Sequence, residues 1–455
     1  MIETMSVRSV RWDITNSCNL SCLHCYTSMS NVVDLSFLDV LQIVMKLLPF
    51  GLEEINFSGR EPTLRQDLPS IIKWCAENNL RVNITTNGTV LDHKGYETLL
   101  KAGLNMLVFS VDGVSANTHD KIRGTGNFYK TIDSIKYCSN YIAKLNKPIK
   151  TGISCTLQKY NIQELPGIIS MCDSLGIDFL GINPVSICGE ASSVKELLYL
   201  FAEEILTCWE KICKEFNEVK PNYELYLGTF PMEAKFLNLK YNLDLPVIQT
   251  GCSAGKTIYI DPYGKALPCY MLPPVANNMP EIRQYLRYWQ ILVDPISKAA
   301  QYFEPFISFA NSYSQKNNEN CRQCPDVDVC RRCPLIALSD PDAIYRCQIA
   351  QRQISSFSID NSNKIIPAKK NYITWSIDGN ILLLSLKKGD FTSEKKFEIT
   401  PFIKSVWTEI DGVHPLEKIE SRLQAKWPNL STEKINKNLL YTIDYFWKEG
   451  IISIK

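Results

Sequence analysis

Residues 15–26 read Thr-Asn-Ser-Cys-Asn-Leu-Ser-Cys-Leu-His-Cys-Tyr and place three cysteines, Cys18, Cys22 and Cys25, within eight residues. Three thiolates at this spacing can hold one iron–sulfur cube, and the stretch supplies no fourth cysteine. Because a cube has four irons, one iron would keep an open position for a small molecule. Ferredoxin runs differ, since they supply four cysteines per cluster. The stretch therefore predicts a reactive cluster rather than a structural one.

A zinc site is the alternative, with His24 as the fourth ligand. Structural zinc sites favour two separated pairs of ligands over four residues crowded into one loop. The C-x3-C-x2-C spacing, with His24 before the last cysteine and Tyr26 after it, resembles the radical S-adenosylmethionine (SAM) enzymes. The resemblance implies that SAM fills the vacant iron site of a [4Fe–4S] cluster beside His24 and Tyr26. It also implies that one electron cleaves the sulfonium, giving a 5′-deoxyadenosyl radical that abstracts hydrogen from a substrate.

The composition is that of an ordinary globular protein, with 455 residues, 45% of them hydrophobic and 21% charged. This length is enough for two or three domains. A net charge of +1 gives no global field that would attract nucleic acid or an anionic membrane. No signal-peptide core and no uncharged apolar run of about 18 residues is present, so we expect a cytoplasmic protein without a membrane partner.

The chain contains 17 cysteines, an unusual number for a protein of a reducing compartment. There they predict metal ligands or catalytic thiols rather than disulfides. Ten of them fall in two motif clusters, and none follows Cys347. We expect the other seven to be buried structural thiols: Cys75, Cys138, Cys155, Cys172, Cys188, Cys208 and Cys213. Cys188 is the one candidate catalytic residue, because it lies in a turn-like stretch that could face a cavity.

Residues 10–217 alternate short apolar runs with longer amphipathic segments. The strand-like runs are 10–15, 54–58, 81–86, 106–112, 151–157 and 179–185. The helical patterns that follow them are 35–48, 68–79, 94–102, 129–145, 162–175 and 194–216. Six consecutive strand–helix units predict an α/β fold with a parallel sheet and right-handed crossovers. The resemblance implies that residues 1–220 form a partial (βα)6 radical SAM barrel, with its chemistry at the carboxyl ends of the strands.

The loops after the later strands fit the same resemblance. Gly59-Arg60-Glu61-Pro62 is similar to the family's Gly-Gly-Glu-Pro segment, whose backbone holds the amino group of SAM, although Arg60 replaces the second glycine. An ordinary loop closed by proline is the alternative for this segment taken alone. The resemblance implies that Ser110 and Arg123 reach the ribose and carboxylate of SAM. It also places the loop after the third strand beside the cofactor, with Asn87.

A second set of cysteines resembles the SPASM extension of radical SAM enzymes, an irregular domain that we assign to residues 221–350. The resemblance implies two auxiliary [4Fe–4S] clusters. The first would be held by Cys252, Cys269 and Cys333, with a fourth ligand that the sequence does not identify. The second would be held by Cys321, Cys324, Cys330 and Cys347. Only two residues separate Cys330 from Cys333, where the family usually has three. A pair of zinc knuckles is the alternative, because C-x2-C…C-x2-C also suits zinc.

Residues 351–370 are rich in Ser, Asn and Lys and predict a linker. Beyond it, residues 373–377 alternate apolar with polar side chains, and a hairpin turn leads to a second strand at 381–386. Thr400 caps one predicted helix, residues 416–427 form another, and Ser431 begins the last. Strands followed by three short helices predict a small α+β winged helix-turn-helix domain at residues 371–455.

The last helix argues against DNA binding, because it carries many apolar and aromatic residues but no arginine to read base edges. The arrangement resembles the PqqD-like recognition elements of enzymes that modify ribosomally made peptides. The resemblance implies that a disordered leader peptide adds as a β-strand beside the wing, against the apolar helix surface. A C-terminal dimerisation domain is the alternative.

Together these resemblances imply a peptide maturase that installs a thioether or carbon–carbon crosslink in a ribosomal precursor peptide. Its electrons would come from a donor such as flavodoxin or ferredoxin. One alternative is a peptide epimerase with Cys188 as hydrogen donor. Another is a sulfatase-maturase-like enzyme, although Tyr270 stands where those relatives have an aspartate. The non-enzymatic alternative is a zinc-binding winged-helix regulator.

Overall fold

The computed structural model describes residues 6–26, 33–145, 147–246, 252–313, 321–322, 324, 330, 333–339, 342–356, 367–369, 373–388, 391–449 and 451–454. The chain divides into two compact units. The first contains Met1–Gly228, Cys252–Tyr313 and Cys333–Pro341. The second contains Thr229–Gly251, Ser314–Arg332 and Asp342–Lys455.

The first unit is built on one ten-stranded sheet. Its strands are β1 (Ser9–Asp13), β2 (Glu54–Ser58), β3 (Arg81–Thr86), β4 (Met106–Ser110), β5 (Lys150–Leu157), β6 (Phe179–Pro184), β7 (Glu224–Leu227), β8 (Thr257–Ile260), β9 (Lys265–Leu267) and β10 (Trp289–Gln290). The spatial order is β10-β9-β8-β1-β2-β3-β4-β5-β6-β7, parallel from β8 to β7 and antiparallel at β9 and β10. The six predicted parallel strands are therefore confirmed, and the carboxyl ends of β1–β6 lie at one edge.

Eleven described helices belong to this unit: α1 (Phe37–Leu47), α2 (Leu68–Glu77), α3 (His93–Lys101), α4 (Ala116–Arg123), α5 (Asn127–Leu145), α6 (Ile168–Leu175), α7 (Lys195–Leu198), α8 (Ala202–Val219), α10 (Leu272–Asn278), α11 (Ile296–Ser312) and α12 (Pro334–Ser339). The helix predicted at 162–175 begins only at Ile168, because Pro166 sits in a separate 3-10 turn. The helix predicted at 194–216 is interrupted before Ala202, where the Glu204 side chain caps the backbone N–H of Phe201. Helix α4 was not predicted.

Strands β1–β4 bury side chains on both faces, as a parallel sheet covered by helices requires. Helix α1 begins at a capping box, in which Ser36 and Asp39 each accept a backbone N–H of the other. Its inward face, including Val40, Ile43 and Val44, is fully buried. The helices thus fix the sheet, and the sheet fixes where its loops begin.

The second unit contains five described helices: α9 (Pro231–Tyr241), α13 (Ala343–Ser356), α14 (Pro401–Glu409), α15 (Leu416–Lys426) and α16 (Thr432–Lys448). Its strands are β11 (Pro367–Lys369), β12 (Ile373–Asp378), β13 (Ile381–Lys388), β14 (Phe391–Glu398) and β15 (Ile452–Ile454). Strands β12-β13-β14 form an antiparallel sheet in that order, and β11 pairs with β15. The predicted hairpin and three helices are present, with Thr400 and Ser431 as N-caps. Strand β14 was not predicted.

The three C-terminal helices share a core with the small sheet. Trp407 of α14, Ile419 of α15 and Phe446 of α16 are buried in it, together with Leu382 and Leu384 of β13. The C-terminal residues therefore have an apolar interior of their own. Elsewhere in the same unit, buried Arg346 of α13 pairs with buried Glu233 of α9 at 3.3 Å.

Part of the proposed linker at 351–370 lies within regular structure. Residues 351–356 continue helix α13, and residues 367–369 form β11. Residues 357–366 and 370 lie outside the described residues. The domain boundaries at 220, 350 and 370 therefore stay predictions. Among the described residues, no helix combines the length and apolarity needed to cross a membrane.

Candidate functional site

The three-cysteine loop directly follows β1 at the carboxyl edge of the sheet. Cys18, Cys22 and Cys25 are each half-buried. The backbone of the loop is tied to its neighbours: the N–H of Glu61 donates to the carbonyl of Ser17 at 3.0 Å. This hydrogen bond holds the loop after β2 next to the cysteine loop.

The three thiols lie within electrostatic range of one another. Burial raises the pKa of Cys22 to about 11, and Cys25 and Cys18 add to the increase while the Arg123 guanidinium opposes it. Burial also raises the pKa of Cys18, with Arg60 acting in the opposite direction. Three soft sulfur donors flanked by two cations suit an anionic iron–sulfur cluster.

No three His, Cys, Asp or Glu side chains of the described residues are arranged as the ligands of a single metal ion. A cube makes a different demand, because each thiolate binds a different iron. The residues of this loop therefore fit a [4Fe–4S] cluster with three protein ligands.

His24 faces the protein rather than the thiols. The Gln158 amide lies 3.3 Å from Nδ1, and Nε2 lies 3.4 Å from both the Asp112 carboxylate and the Arg123 guanidinium. Burial lowers the pKa of His24 to about 4, so its ring is neutral at pH 7. In the tautomer that carries the proton on Nε2, Nδ1 accepts from Gln158 and Nε2 donates to Asp112. This arrangement disfavours His24 as a fourth zinc ligand.

Asp112 and Arg123 form a buried ion pair beside Cys22. Nε of Arg123 donates to the Asp112 carboxylate at 2.5 Å, while Nη1 lies 3.9 Å from Sγ of Cys22. The other Asp112 oxygen accepts the backbone N–H of Thr156 at 2.7 Å. Burial acts to raise the pKa of Asp112, but Arg123 and His24 hold it below its usual value. Asp112 therefore fixes a cation against the cysteine loop.

The Gly59–Pro62 segment begins at a glycine that lies too close to Asp13 for a residue with a side chain. Gly59 has φ +100°, and a Cβ added there would lie 2.5 Å from Cβ of Asp13. Pro62 begins a 3-10 turn. Nη2 of Arg60 is buried and has no hydrogen-bond partner among the described residues. Arg60 thus places a cation with one unpartnered nitrogen near Cys18.

Glu61 is a buried hub rather than an exposed ligand. One carboxylate oxygen accepts from the Thr63 and Thr86 hydroxyls at 2.5 and 2.7 Å, and the other accepts the backbone N–H of Asn87 at 2.7 Å. The Asn87 amide in turn donates to Asn19 of the cysteine loop at 2.9 Å. Glu61 and Asn87 therefore join the loops after β1, β2 and β3.

Replacing Gly59 by alanine should lower the free energy of unfolding by about 2–4 kcal/mol, from backbone strain plus overlap with Asp13. Gly126 is a matched control: its φ is +80°, but an added Cβ would meet no atom within 4 Å. We expect Gly126→Ala to cost about 1 kcal/mol, from strain alone. Urea unfolding of both variants measures the difference, and equal losses would contradict the close approach to Asp13.

The remaining predicted residues lie around the same edge. Ser110, half-buried, ends β4. Tyr26 contacts the loop after β6, where a Cβ on Gly189 would lie 2.3 Å from the Tyr26 carbonyl oxygen. The backbone N–H of Glu190 donates to the carbonyl of Cys25 at 2.9 Å. Cys188, 3% exposed, precedes these contacts, and burial raises its pKa to about 11 with a contribution from Cys25.

The seven cysteines of the second motif are divided between the two units. Cys252, Cys269 and Cys333 belong to the first unit, and burial raises the pKa of Cys269 to about 12 with contributions from the other two. Cys321, Cys324, Cys330 and Cys347 belong to the second unit. All seven are half-buried, as are Cys18, Cys22 and Cys25, whereas the other seven cysteines of the chain are buried. Burial thus separates the motif cysteines from the others.

Sequence reasoning missed three polar residues of this region. Asp112 stands in the Ser110-Val111-Asp112-Gly113 run at the end of β4, and its position two residues after Ser110 was the available signal. Gln158 and Arg11 carry no motif, and their positions follow only from the fold.

The sequence model of the Radical SAM superfamily matches residues 12–172. This range includes the three-cysteine loop and the ends of β1–β5. The chain contains a radical SAM domain. Proteins of this superfamily use SAM and a [4Fe–4S] cluster, which is the pair that the three-cysteine loop fits.

Two curated relatives come from Methanosarcina barkeri. The Fe-coproporphyrin III synthase is 33% identical over 168 residues, which is 36% of this chain and 40% of the relative. The AdoMet-dependent heme synthase is 27% identical over 297 residues, or 63% of this chain and 83% of the relative. The chain thus spans less than half of the first relative and most of the second.

A solved structure extends the likeness beyond the radical SAM domain. Streptococcus suis SuiB bound to precursor peptide SuiA superposes with a TM-score of 0.58 at 16% identity, covering 76% of each chain. At this identity the likeness shows a shared fold.

Proposed function

We propose that the chain is a radical SAM peptide maturase, which installs a thioether or carbon–carbon crosslink in a ribosomally made precursor. One observation carries the proposal: a chain with a three-cysteine loop on a radical SAM domain also carries a separate β-sheet and three-helix module. SAM cleavage at the three-cysteine loop does not require such a module. A module with an edge strand and exposed aromatic side chains does suit the binding of an extended peptide.

At the catalytic edge, Cys18, Cys22 and Cys25 would hold a [4Fe–4S] cluster, which supplies the electron for SAM cleavage when both are bound. The backbone of Gly59–Pro62 would face the amino group of SAM, with Ser110 and Arg123 toward its ribose and carboxylate. Glu61 and Asn87 would act by positioning, since their side chains already bind neighbouring loops. His24 and Tyr26 would hold the cysteine loop in place through their contacts with Gln158, Asp112 and Arg11.

The second cysteine motif would hold two auxiliary clusters. Cys252, Cys269 and Cys333 would hold one, and Cys321, Cys324, Cys330 and Cys347 the other. Soft thiolate donors in sets of three and four suit iron–sulfur clusters. An auxiliary cluster would accept the electron left after crosslinking, and a flavodoxin or ferredoxin would supply the first cluster.

The C-terminal module would capture the leader by strand addition to β14, which is an edge strand of the β12-β13-β14 sheet. Tyr445 of α16 is 42% exposed and contacts Phe397 of β14 edge-to-face at 6.1 Å. Tyr441, one turn earlier, is 72% exposed. A strand added to β14 could pack alternate side chains on these rings.

Anaerobic reconstitution tests the proposed function. We expect about a dozen irons per chain and 5′-deoxyadenosine after dithionite reduction. Peptides encoded by short reading frames beside the gene should lose two hydrogens per crosslink by mass spectrometry. A colourless, zinc-loaded protein that releases no 5′-deoxyadenosine would instead support the winged-helix regulator.

Replacing Tyr441 and Tyr445 by alanine should weaken leader binding about tenfold or more, because exposed aromatic anchors carry much of such affinity. Fluorescence anisotropy of labelled leader peptides measures the change. Tyr129→Ala is the control, since Tyr129 lies on α5 and is also 72% exposed. Equal affinity of the double variant and the control would remove this surface from the recognition site.

A tetrapyrrole substrate is the second candidate, because the heme synthase relative is covered over 83% of its length. Titration with iron coproporphyrin III discriminates the two. A saturable shift of its absorption band would favour this candidate over the peptide.

Epimerisation remains a narrower alternative for the same peptide site. It requires a thiol that returns hydrogen to the substrate. Cys188 is the candidate, because burial raises its pKa and Cys25 is near enough to add to that increase. Unchanged product stereochemistry and yield in Cys188→Ala would exclude it. The sulfatase-maturase alternative is disfavoured by Tyr270 in place of an aspartate.

A further inference from the structure

Arg11 of β1 lies between two tyrosines of the first unit. Its guanidinium carbon is 4.0 Å from the ring centroid of Tyr270 and 5.7 Å from that of Tyr26. Nη2 donates to the Tyr26 hydroxyl at 3.5 Å, which is a long hydrogen bond. The two rings contact the guanidinium by cation–π interactions.

Among the described residues, no carboxylate forms an ion pair with the Arg11 guanidinium within 4 Å. Its Nε is buried and finds no hydrogen-bond acceptor there. Asp13, on the same strand, interacts with Arg11 electrostatically, while its oxygens accept from the hydroxyls of Tyr259 and Ser58 at 2.8 and 3.5 Å. Taking a guanidinium out of water is costly unless a carboxylate or similar group repays it.

Two arginines with little-exposed side chains are paired. The side chains of Arg65 and Arg123 are 7% and 10% exposed, and they contact Asp67 and Asp112 at 2.7 and 2.5 Å. Arg60 also has an unpartnered Nη2, but it stands beside Cys18 in the loop already assigned to SAM. Arg11 therefore lacks the direct carboxylate contact that Arg65 and Arg123 have, although Asp13 interacts with it electrostatically.

A second unpartnered group lies next to it. Asn56 of β2 is the register partner of Arg11, so in a parallel sheet the two side chains project from the same face. Oδ1 of Asn56 is buried and accepts no hydrogen bond from the described residues. One donor and one acceptor thus stand side by side, which suits a ligand that has both an anionic group and an N–H.

The location suits the substrate. Tyr26 follows Cys25 of the first cysteine set, and Tyr270 follows Cys269 of the second. We expect a molecule that loses hydrogen near the first set and gives an electron to the second to lie near both. Arg11 contacts the residues next to both.

We propose that Arg11 binds a carboxylate of the substrate peptide, an aspartate or glutamate side chain, while Asn56 accepts a peptide N–H. The inference rests on the proposed function and names the residue class that the site selects. Nε and an Nη group form the fork that matches a carboxylate through two parallel hydrogen bonds. Tyr26 and Tyr270 position this fork.

The test uses the full, reconstituted chain and a matched pair of probes, N-acetyl-glutamate N-methylamide and its glutamine counterpart. Saturation-transfer NMR reports their binding without turnover. We expect the glutamate probe to bind at least tenfold more tightly than the glutamine probe. Arg11→Met should abolish this preference, and Arg11→Lys should restore only part of it. Arg8→Met is the control, because Arg8 lies just before β1 and its side chain is 44% exposed.

Formation of 5′-deoxyadenosine without peptide separates this inference from the proposed function. All the Arg11 variants should retain it, since they leave unchanged the three cysteines and the Gly59–Pro62 segment that are assigned to the cluster and SAM. If Arg11→Met raises the dissociation constant for SAM and leaves the probe preference unchanged, Arg11 binds the cofactor and the proposal is wrong. Equal binding of the two probes to the unmodified protein would also overturn it. Absence of 5′-deoxyadenosine in the unmodified protein would instead overturn the proposed function.

Discussion

Replacing Cys22 by serine should lower 5′-deoxyadenosine formation on the order of a thousandfold, because the N-terminal cluster then lacks one of three protein ligands. Iron content should fall by about four per chain while the auxiliary sets keep theirs. Anaerobic iron analysis and electron paramagnetic resonance of the reduced protein measure both effects. The half-buried position of the thiol leaves room for a cluster, so the loss should be chemical rather than structural.

Cys213→Ser is the control for this experiment. Cys213 is buried on α8 and belongs to neither motif. It should retain iron and 5′-deoxyadenosine formation, with a modest loss of stability from the buried hydroxyl. Full iron content and activity in Cys22→Ser would show that the N-terminal motif does not hold the catalytic cluster.

Replacing Asp112 by asparagine should lower the free energy of unfolding by about 3–5 kcal/mol, the usual cost of leaving a buried charge without its partner. Asp112 is fully buried, and Arg123, at 10% side-chain exposure, would lose the one carboxylate with which it pairs in the described part of the chain. Arg123 would also lose its position beside Cys22, so SAM binding should weaken with stability. Urea unfolding and a SAM titration measure the two losses separately.

A double variant sharpens this test. Asp112→Asn combined with Arg123→Gln removes both charges, so its loss of stability should be smaller than the sum of the single losses by about 2–3 kcal/mol. Additive losses would mean that the two side chains do not interact in solution. Glu164→Gln is a comparison on a less buried carboxylate. Glu164 accepts hydrogen bonds from Val114 and Ser115, and no cation among the described residues pairs with it.

The pattern of apolar runs was sufficient to predict the central sheet, because parallel strands buried on both faces leave continuous apolar stretches between amphipathic helices. It was insufficient for α4, whose eight residues are mostly polar and whose formation depends on the Ser115 cap and on burial of His119, Ile122 and Arg123. It was also insufficient for β14, where alternating charges hide an edge strand that pairs along all of β13. Short or polar elements gain their stability from neighbours rather than from their own sequence.

The same division holds for the candidate site. Sequence alone determined which cysteines belong to motifs, since spacing within one loop is a local property, and burial later separated those ten from the other seven. Only the tertiary structure decided that Glu61 and Asn87 join loops, that Asp112 holds Arg123 against Cys22, and that Arg11 stands between Tyr26 and Tyr270. These relations connect residues up to 259 positions apart, from Arg11 to Tyr270. Such distances are set by the order of strands in the sheet, which no local pattern encodes.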